Sequence, residues 1–102
     1  MVTQEGSKTL FKVLHTTMQI KNPYEAVRQR DLANLMGIHE TIISKWKKGE
    51  RLITDISDYH LISELTGKPI DWLYTIATGA CKFNENRTIR QIRREQKKRA
   101  LR

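Results

Sequence analysis

The spacing of apolar residues within positions 29–48 predicts two short helices joined by a tight turn. In the first helix, Leu35 and Met36 follow Leu32 by three and four residues, so the three side chains share one face. Gly37 follows at the position where a helix commonly ends in a left-handed residue. Gly37 is therefore the predicted turn.

The second helix of this pair has an apolar face of its own. Ile42, Ile43 and Trp46 recur at one-, three- and four-residue spacing, and Gly49 ends the pattern. Trp46 is expected in the core with no ligand role. Ile38 is expected to fill the corner between the helices. The remaining side chains point outward and offer hydrogen-bonding and cationic groups: His39, Glu40, Thr41, Ser44, Lys45, Lys47 and Lys48.

One further helix is predicted before this pair. Ser7 is a suitable N-cap, and the helix should stop at residues 21–23, where proline cannot continue it. The next helix is then expected to start near Val27 or Arg28. The apolar face of the first helix consists of Leu10, Phe11, Leu14, Thr17 and Met18.

Two helices are predicted after the pair. Thr54 or Asp55 is a suitable N-cap for the fourth helix, which should end at Gly67. Pro69 suits the first turn of the fifth helix, and Gly79 should close it. No stretch alternates apolar and polar residues over strand length, so the predicted fold class is all-α, a compact domain of five helices. The expected apolar positions are Ile56, Tyr59, Leu61, Ile62 and Leu65, followed by Ile70, Trp72, Leu73, Tyr74 and Ala77.

The charge of this 102-residue chain is concentrated at its C-terminal end. Residues 84–102 hold eight Lys and Arg against two Glu, a net +6 of the total +8. We therefore predict a flexible N-terminus over residues 1–6, one domain over residues 7–83 and a basic extension over residues 84–102. Such an extension favours a polyanionic partner, nucleic acid or an acidic membrane surface, or else is a disordered, solubilising end.

The sequence contains neither an apolar run of membrane-spanning length nor a signal-peptide pattern. Cys81 is the single cysteine, which excludes an intrachain disulfide and agrees with a reducing compartment. A cytoplasmic protein without a membrane partner is the resulting expectation.

No catalytic, cofactor or metal site is predicted. His15, His39 and His60 lie on separate elements, with no carboxylate or thiol at ligand spacing. The serines and Cys81 lack a recognisable base and oxyanion site, so no nucleophile is assigned. We therefore do not expect an enzyme.

Residues 29–48 resemble the helix-turn-helix of the lambda-repressor and Cro-like (Xre-type) family. The matching features are an initial glutamine, an alanine that permits close helix crossing, the turn glycine and the apolar positions. They are carried by Gln29, Leu32, Ala33, Met36, Gly37, Ile38, Ile43 and Trp46. The resemblance covers about residues 8–80, and it includes the fourth and fifth helices. It departs at His39, where the family usually has a Ser or Thr cap, and in a longer approach to the second helix.

The resemblance implies a transcriptional regulator that binds double-stranded DNA in the major groove, in the form of a repressor of phage or mobile-element type. Gln29 is expected to brace its helix across the DNA backbone, and His39 to contact phosphate or cap its helix. The residues expected to face bases are Glu40, Thr41, Ser44 and Lys45. The candidates for phosphate contact are Arg28, Arg30, Lys47, Lys48 and Arg51.

Family members bind inverted half-sites as homodimers, so the resemblance also implies a two-fold homodimer on an inverted-repeat operator. The fifth helix, with Trp72 and Tyr74, is the expected interface, although Trp72 is equally compatible with a core position.

Three other interpretations stay open. Spacing alone is equally compatible with an ordinary helical hairpin whose polar face only meets water. An antitoxin would use the same domain to repress its own operon while another segment binds a toxin protein, for which the extension offers only Ile89, Ile92 and Leu101 as apolar anchors. An RNA-binding protein would instead use the Arg-rich stretch 87–102.

Overall fold

Five α-helices and no strand account for the regular structure of residues 1–80, the part of the chain that the computed structural model describes. The helices are α1 (Gln4–Lys21), α2 (Gln29–Met36), α3 (Glu40–Lys48), α4 (Ile56–Thr66) and α5 (Ile70–Ala77). The all-α prediction is confirmed for these residues. The basic extension of residues 84–102 lies outside them.

Helix α1 runs through the centre of the domain and packs against α3, α4 and α5. Its predicted apolar face is confirmed, since Leu10, Phe11, Leu14, Thr17 and Met18 are all buried. The buried set also includes Val13, which the sequence pattern did not assign.

The predicted start of α1 is wrong. Thr3, not Ser7, is the N-cap, and its hydroxyl oxygen accepts a hydrogen bond from the Gly6 amide at 2.9 Å. Residues 4–6, placed in the N-terminal segment by the sequence pattern, are therefore helical. Ser7 is fully buried instead, and its hydroxyl oxygen accepts the Ile53 amide at 3.1 Å. A buried backbone amide needs an acceptor, and this need explains a serine inside the helix.

The tight turn between α2 and α3 is confirmed. Gly37 has a φ of 66°, in the left-handed region where a Cβ is unfavourable, and the Ile38 amide donates to the Ala33 carbonyl at 3.1 Å. Ile38 packs against the core from its half-buried position. On α3, Ile43 and Trp46 are buried as expected, and the helix ends at Gly49 with a φ of 75°.

The ends of α4 and α5 follow the predicted signals with one shift. The carboxylate of Asp55 caps α4 by accepting the Ser57 amide at 3.0 Å, and Gly67 ends the helix with a φ of 72°. Pro69 occupies the N-cap of α5, one residue before the predicted first turn. Gly79 has a φ of 80° just beyond the end of α5.

Tyr74, which the sequence analysis places in the expected interface, is 48% exposed. Two positions on the predicted apolar faces are wrong, since Leu35 is 49% exposed and Ile56 64%. Each lies on a short helix where the neighbouring helices cover only part of the apolar stripe, and periodicity does not reveal which edge stays uncovered. Ile76 on α5 is buried although the pattern did not assign it.

None of the described helices combines the length and the apolar character that a membrane crossing requires.

Candidate nucleic-acid interface

Helix α3 separates its apolar and polar side chains cleanly. Ile43 and Trp46 are buried against the rest of the domain, whereas Glu40, Thr41 and Lys45 are exposed. Ser44, the fourth predicted base-facing residue, is half-buried. The spacing of these four residues places them on one side of α3. One helical face thus carries a carboxylate, two hydroxyls and an ammonium group.

His39 caps α3, so one of the two roles expected for this residue is confirmed. The Thr41 amide donates to His39 Nδ1 at 3.1 Å. Because Nδ1 accepts this hydrogen bond, a neutral His39 carries its hydrogen on Nε2. The two ring nitrogens lie on opposite sides of the imidazole, so the Nε2–H group points away from the first turn of α3.

The first turn of α2 lacks a side-chain cap. Its N-cap residue is Arg28, whose guanidinium group cannot accept a hydrogen bond. The Arg28 amide donates instead to the Asp31 carboxylate at 2.9 Å. Next to Arg28, Gln29 is half-buried and Arg30 is exposed. The start of α2 therefore offers unpaired amide groups together with two cationic side chains, an arrangement suited to an anion.

The C-terminal end of α3 is strongly cationic. Lys45, Lys47 and Lys48 occupy its last turns, where cations interact favourably with the helix dipole, and Arg51 follows in the next loop. All four residues are exposed.

A pocket of about 150 Å³ brings together three predicted phosphate-contact or backbone-bracing residues from two helices. Arg28 and Gln29 come from the start of α2, and Lys47 comes from the end of α3. Phe11, His15, Val27 and Leu32 form the rest of the lining. Among the described residues, Arg30, Lys48 and Arg51 are exposed but do not line this pocket.

Two polar residues of α1 hold the segment that leads into α2, and the sequence pattern did not assign them this role. Gln19 Oε1 accepts the Val27 amide at 2.8 Å, and the Val27 carbonyl lies 2.8 Å from His15 Nε2. His15 and Gln19 are one helical turn apart, so both reach the same peptide segment. The i, i+4 spacing of His15 and Gln19 indicates that both side chains lie on one face of α1. This spacing cannot identify the segment that they contact, because Val27 lies outside the helix.

Within residues 1–80, no three His, Cys, Asp or Glu side chains lie close enough together to hold a metal ion. Among residues 1–80, the titratable groups with shifted pKa values lie on α4 and at its cap. Hydrogen bonds from Ser57 lower the pKa of Asp55, and burial raises the pKa of Asp58.

No protein-family model, curated protein or solved structure matches the chain.

Proposed function

We propose that the protein is a sequence-specific, double-stranded DNA-binding transcriptional regulator that reads the major groove with α3, in the form of a repressor of phage or mobile-element type. The observation that carries this proposal is the α2–Gly37–α3 unit. Its second helix buries Ile43 and Trp46 and exposes Glu40, Thr41 and Lys45 on the opposite side. A helix of this width fits the major groove of B-DNA.

The chemistry of the α3 surface supports base reading. Lys45 can donate to guanine, Glu40 can accept from cytosine, and the Thr41 methyl group can contact thymine. Glu40 is the informative residue, because a carboxylate near phosphates lowers electrostatic affinity and has no use on a surface that only holds DNA. Ser44, which is half-buried, adds a hydroxyl to the same face.

Phosphate contacts would fix the register of α3 in the groove. Cationic residues lie before and after the base-facing residues along the sequence: Arg28 and Arg30 at the start of α2, Lys47 and Lys48 at the end of α3, and Arg51 in the loop that follows. Gln29 would brace α2 across the DNA backbone, and the His39 Nε2–H group would be available to a phosphate while Nδ1 caps α3. These contacts supply affinity with little sequence information.

The order and connection of the helices support a lambda-repressor-like fold within this proposal. Gly37, in a left-handed conformation, and Ile38 lie at the turn; Ala33 is buried on α2, and α2 packs against α3. Two helices follow the pair and pack against α1.

A homodimer on an inverted repeat is part of the proposal, because one recognition helix buries little DNA surface. The exposed apolar side chains Tyr74 and Ile56 favour an interface across α4 and α5. The Tyr74 ring lies 6.0 Å from that of Tyr59, and Ile56 is one turn before Tyr59 on α4. Trp72 is half-buried, with the Lys68 ammonium 5.9 Å from its ring centre, and so is a less accessible anchor.

The test is selection of bound sites from a randomised duplex pool at fixed salt, with structured RNA of equal length as a competitor. We expect the selected sites to share an inverted repeat. The centres of its two half-sites should be separated by one helical turn of DNA, about 10 bp, or by a multiple of that distance. Recovery of no preferred sequence would contradict it. Stronger competition by RNA than by random duplex would favour the RNA-binding alternative, and co-purification of a small partner protein would favour the antitoxin.

A further inference from the structure

We propose that two residues of α1, Gln19 and His15, position the start of α2 for its contact with a DNA phosphate. Both side chains bind the peptide segment of residues 22–27, which leads into α2. They act on DNA through α2 and are therefore positioning residues, not DNA-contacting ones. This inference deepens the proposed function and rests on it.

The Gln19 side chain binds this segment at three points. Its amide nitrogen donates to the Asn22 carbonyl at 3.0 Å and to the Glu25 carbonyl at 2.8 Å. Its Oε1 atom accepts the Val27 amide at 2.8 Å. A carbonyl can only accept and a backbone amide can only donate, so these partners determine the orientation of the Gln19 amide.

His15 binds the other polar group of Val27. The Val27 carbonyl accepts a hydrogen bond from His15 Nε2 at 2.8 Å. The imidazole stacks on the ring of Phe11, with 6.0 Å between the ring centres and 23° between the planes. Phe11 is part of the buried core, so the imidazole has a fixed support. The amide and the carbonyl of Val27 are thus bound by two different side chains of α1.

The first turn of α2 has little apolar packing of its own. The buried residues of α2 are Leu32, Ala33 and Met36, which all lie after its first three residues. Residues 28–31 are exposed or half-buried. Val27, which is buried, directly precedes them. The position of the first turn therefore depends on Val27, whose backbone the His15–Gln19 pair holds.

A phosphate contact at the start of α2 is sensitive to small displacements. Arg28 and Gln29 line the small pocket that His15 also lines, so their side chains and the first amides of α2 would meet the same phosphate. An N–H···O hydrogen bond is favourable at about 2.7–3.2 Å and is lost near about 3.6 Å. A shift of α2 by about 0.5 Å would therefore weaken several of these contacts together.

A purely structural role of the pair predicts a different result. If Gln19 and His15 only stabilised the domain, their loss would reduce the folded fraction and lower affinity equally for every duplex. If they position α2, their loss should matter only while the phosphate that faces α2 is charged. Neutralising this one phosphate therefore separates the two roles.

The experiment is a double-mutant cycle between the full chain and a selected operator. Methylphosphonate substitution at one phosphate at a time identifies the phosphate at which Gln29→Ala causes no further loss of affinity. Gln19→Met keeps the length of the side chain and removes its hydrogen bonds. On the unmodified operator, it should lower affinity about tenfold, the effect of weakening one hydrogen bond to a charged group. On the operator neutralised at that phosphate, the loss should fall below about twofold.

The protein and the DNA each offer a matched control. Gln4 is exposed at the opposite end of α1, so Gln4→Met should change affinity for neither duplex. Neutralising instead the phosphate at which Lys48→Ala causes no further loss should leave the effect of Gln19→Met at about tenfold. His15→Phe keeps the stacking on Phe11 and removes the hydrogen bond to Val27, so it should repeat the result of Gln19→Met.

A further measurement needs no substitution at His15 or Gln19. Hydrogen exchange of the Gln19 side-chain amide should slow when the parent protein binds the operator, and should slow less on the neutralised operator. Equal losses on both duplexes, no loss on either, or exchange that the operator does not change would overturn this inference while the proposed function stands. Absence of any specific complex with the parent protein would overturn both.

Discussion

The backbone carbonyl of Ala77 lies directly over Gly6, and the two residues leave no room for a side chain between α1 and α5. A Cβ on Gly6 would lie 1.8 Å from the Ala77 oxygen, and the Thr3 amide donates to the same oxygen at 3.1 Å. Glycine at this helical position therefore serves the close packing of α1 on α5 rather than local backbone freedom.

Gly6→Ala is expected to destabilise the domain. Helix propensity alone favours alanine over glycine by about 1 kcal/mol, whereas the contact with Ala77 forces α1 and α5 apart at a cost of about 1–3 kcal/mol or more. Urea unfolding followed by circular dichroism measures the difference. Gly67→Ala is the control, because its Cβ meets nothing within 4 Å and only the φ of 72° is unfavourable. A Gly6→Ala protein more stable than the parent would contradict the close contact.

Tyr59 links stability to alkaline pH. Its hydroxyl donates to the Ile53 carbonyl, and burial, with a smaller contribution from Tyr74, raises the pKa of Tyr59 to about 12. The fold therefore favours the neutral phenol. This contribution to stability is complete below the unfolded value of about 10 and is lost as pH rises through 12.

Tyr59→Phe should accordingly lower stability at pH 7 by about 1–3 kcal/mol, because the buried Ile53 carbonyl loses its donor. It should also flatten the decline in stability between pH 10 and pH 12. Urea unfolding at pH 7, 10 and 11.5 measures both effects. Tyr24→Phe, at a 94% exposed position, is the matched control and should change neither. If stability fell equally between pH 10 and pH 12 in the Tyr59→Phe and Tyr24→Phe proteins, the alkaline loss of stability would not come from ionisation of Tyr59.

The helix ends could be predicted from sequence because their causes are local. Gly37, Gly49 and Gly67 all adopt left-handed φ values, and each follows the last residue of a helix. The cap at Asp55 is equally local, since its carboxylate reaches the amide two residues later. Such signals depend on neighbouring residues only, so the five-helix order followed from them.

The contacts between distant segments could not be predicted in this way. Serine favours the N-cap role, so the sequence predicts a cap at Ser7, but the Ser7 hydroxyl instead accepts the Ile53 amide, 46 residues away. His15 and Gln19 likewise hold Val27 across a loop. Periodicity identifies an apolar or polar face but not the segment that covers it. For this reason, neither these contacts nor the exposure of Leu35 could be predicted from the sequence.

Tyr74→Glu should weaken the proposed homodimer. A carboxylate at the centre of an apolar interface costs enough to lower affinity for a full inverted repeat more than about tenfold, with the single half-site unaffected. Analytical ultracentrifugation with and without operator measures assembly. Tyr24→Glu introduces the same charge at another exposed tyrosine and should have no effect. A parent protein that stays monomeric on operator, and binds half and full sites equally, would contradict the dimer.

Deletion of residues 84–102 should flatten the salt dependence of DNA binding. This segment has eight cations, and each one that contacts a phosphate would steepen the slope of log affinity against log salt by about 0.9. We expect fewer than eight of them to make such a contact. Specific and random duplexes should weaken together. An extension of the same residues in shuffled order is the control and should preserve the slope. An unchanged slope after deletion would assign the segment to solubility, and loss of the dimer would assign it to assembly.

The last prediction separates groove reading from a generic cationic surface on α3. Lys45 and Lys48 are both exposed lysines on this helix, but Lys48 is its last residue, one turn beyond Ser44, and the base-contacting residues of a recognition helix lie toward its N-terminal end. Lys45→Ala and Glu40→Ala should each relax preference at particular base pairs, by about 1–3 kcal/mol for a well-placed contact. Lys48→Ala should weaken all sequences about equally and reduce the salt slope by about 1. Site selection from a randomised duplex pool, repeated for each variant at the same salt, distinguishes these outcomes. If the Lys45 and Glu40 variants recovered the parent's site with only a uniform loss of affinity, this face of α3 would not be the reader, because a base contact cannot be removed without changing discrimination at that base pair.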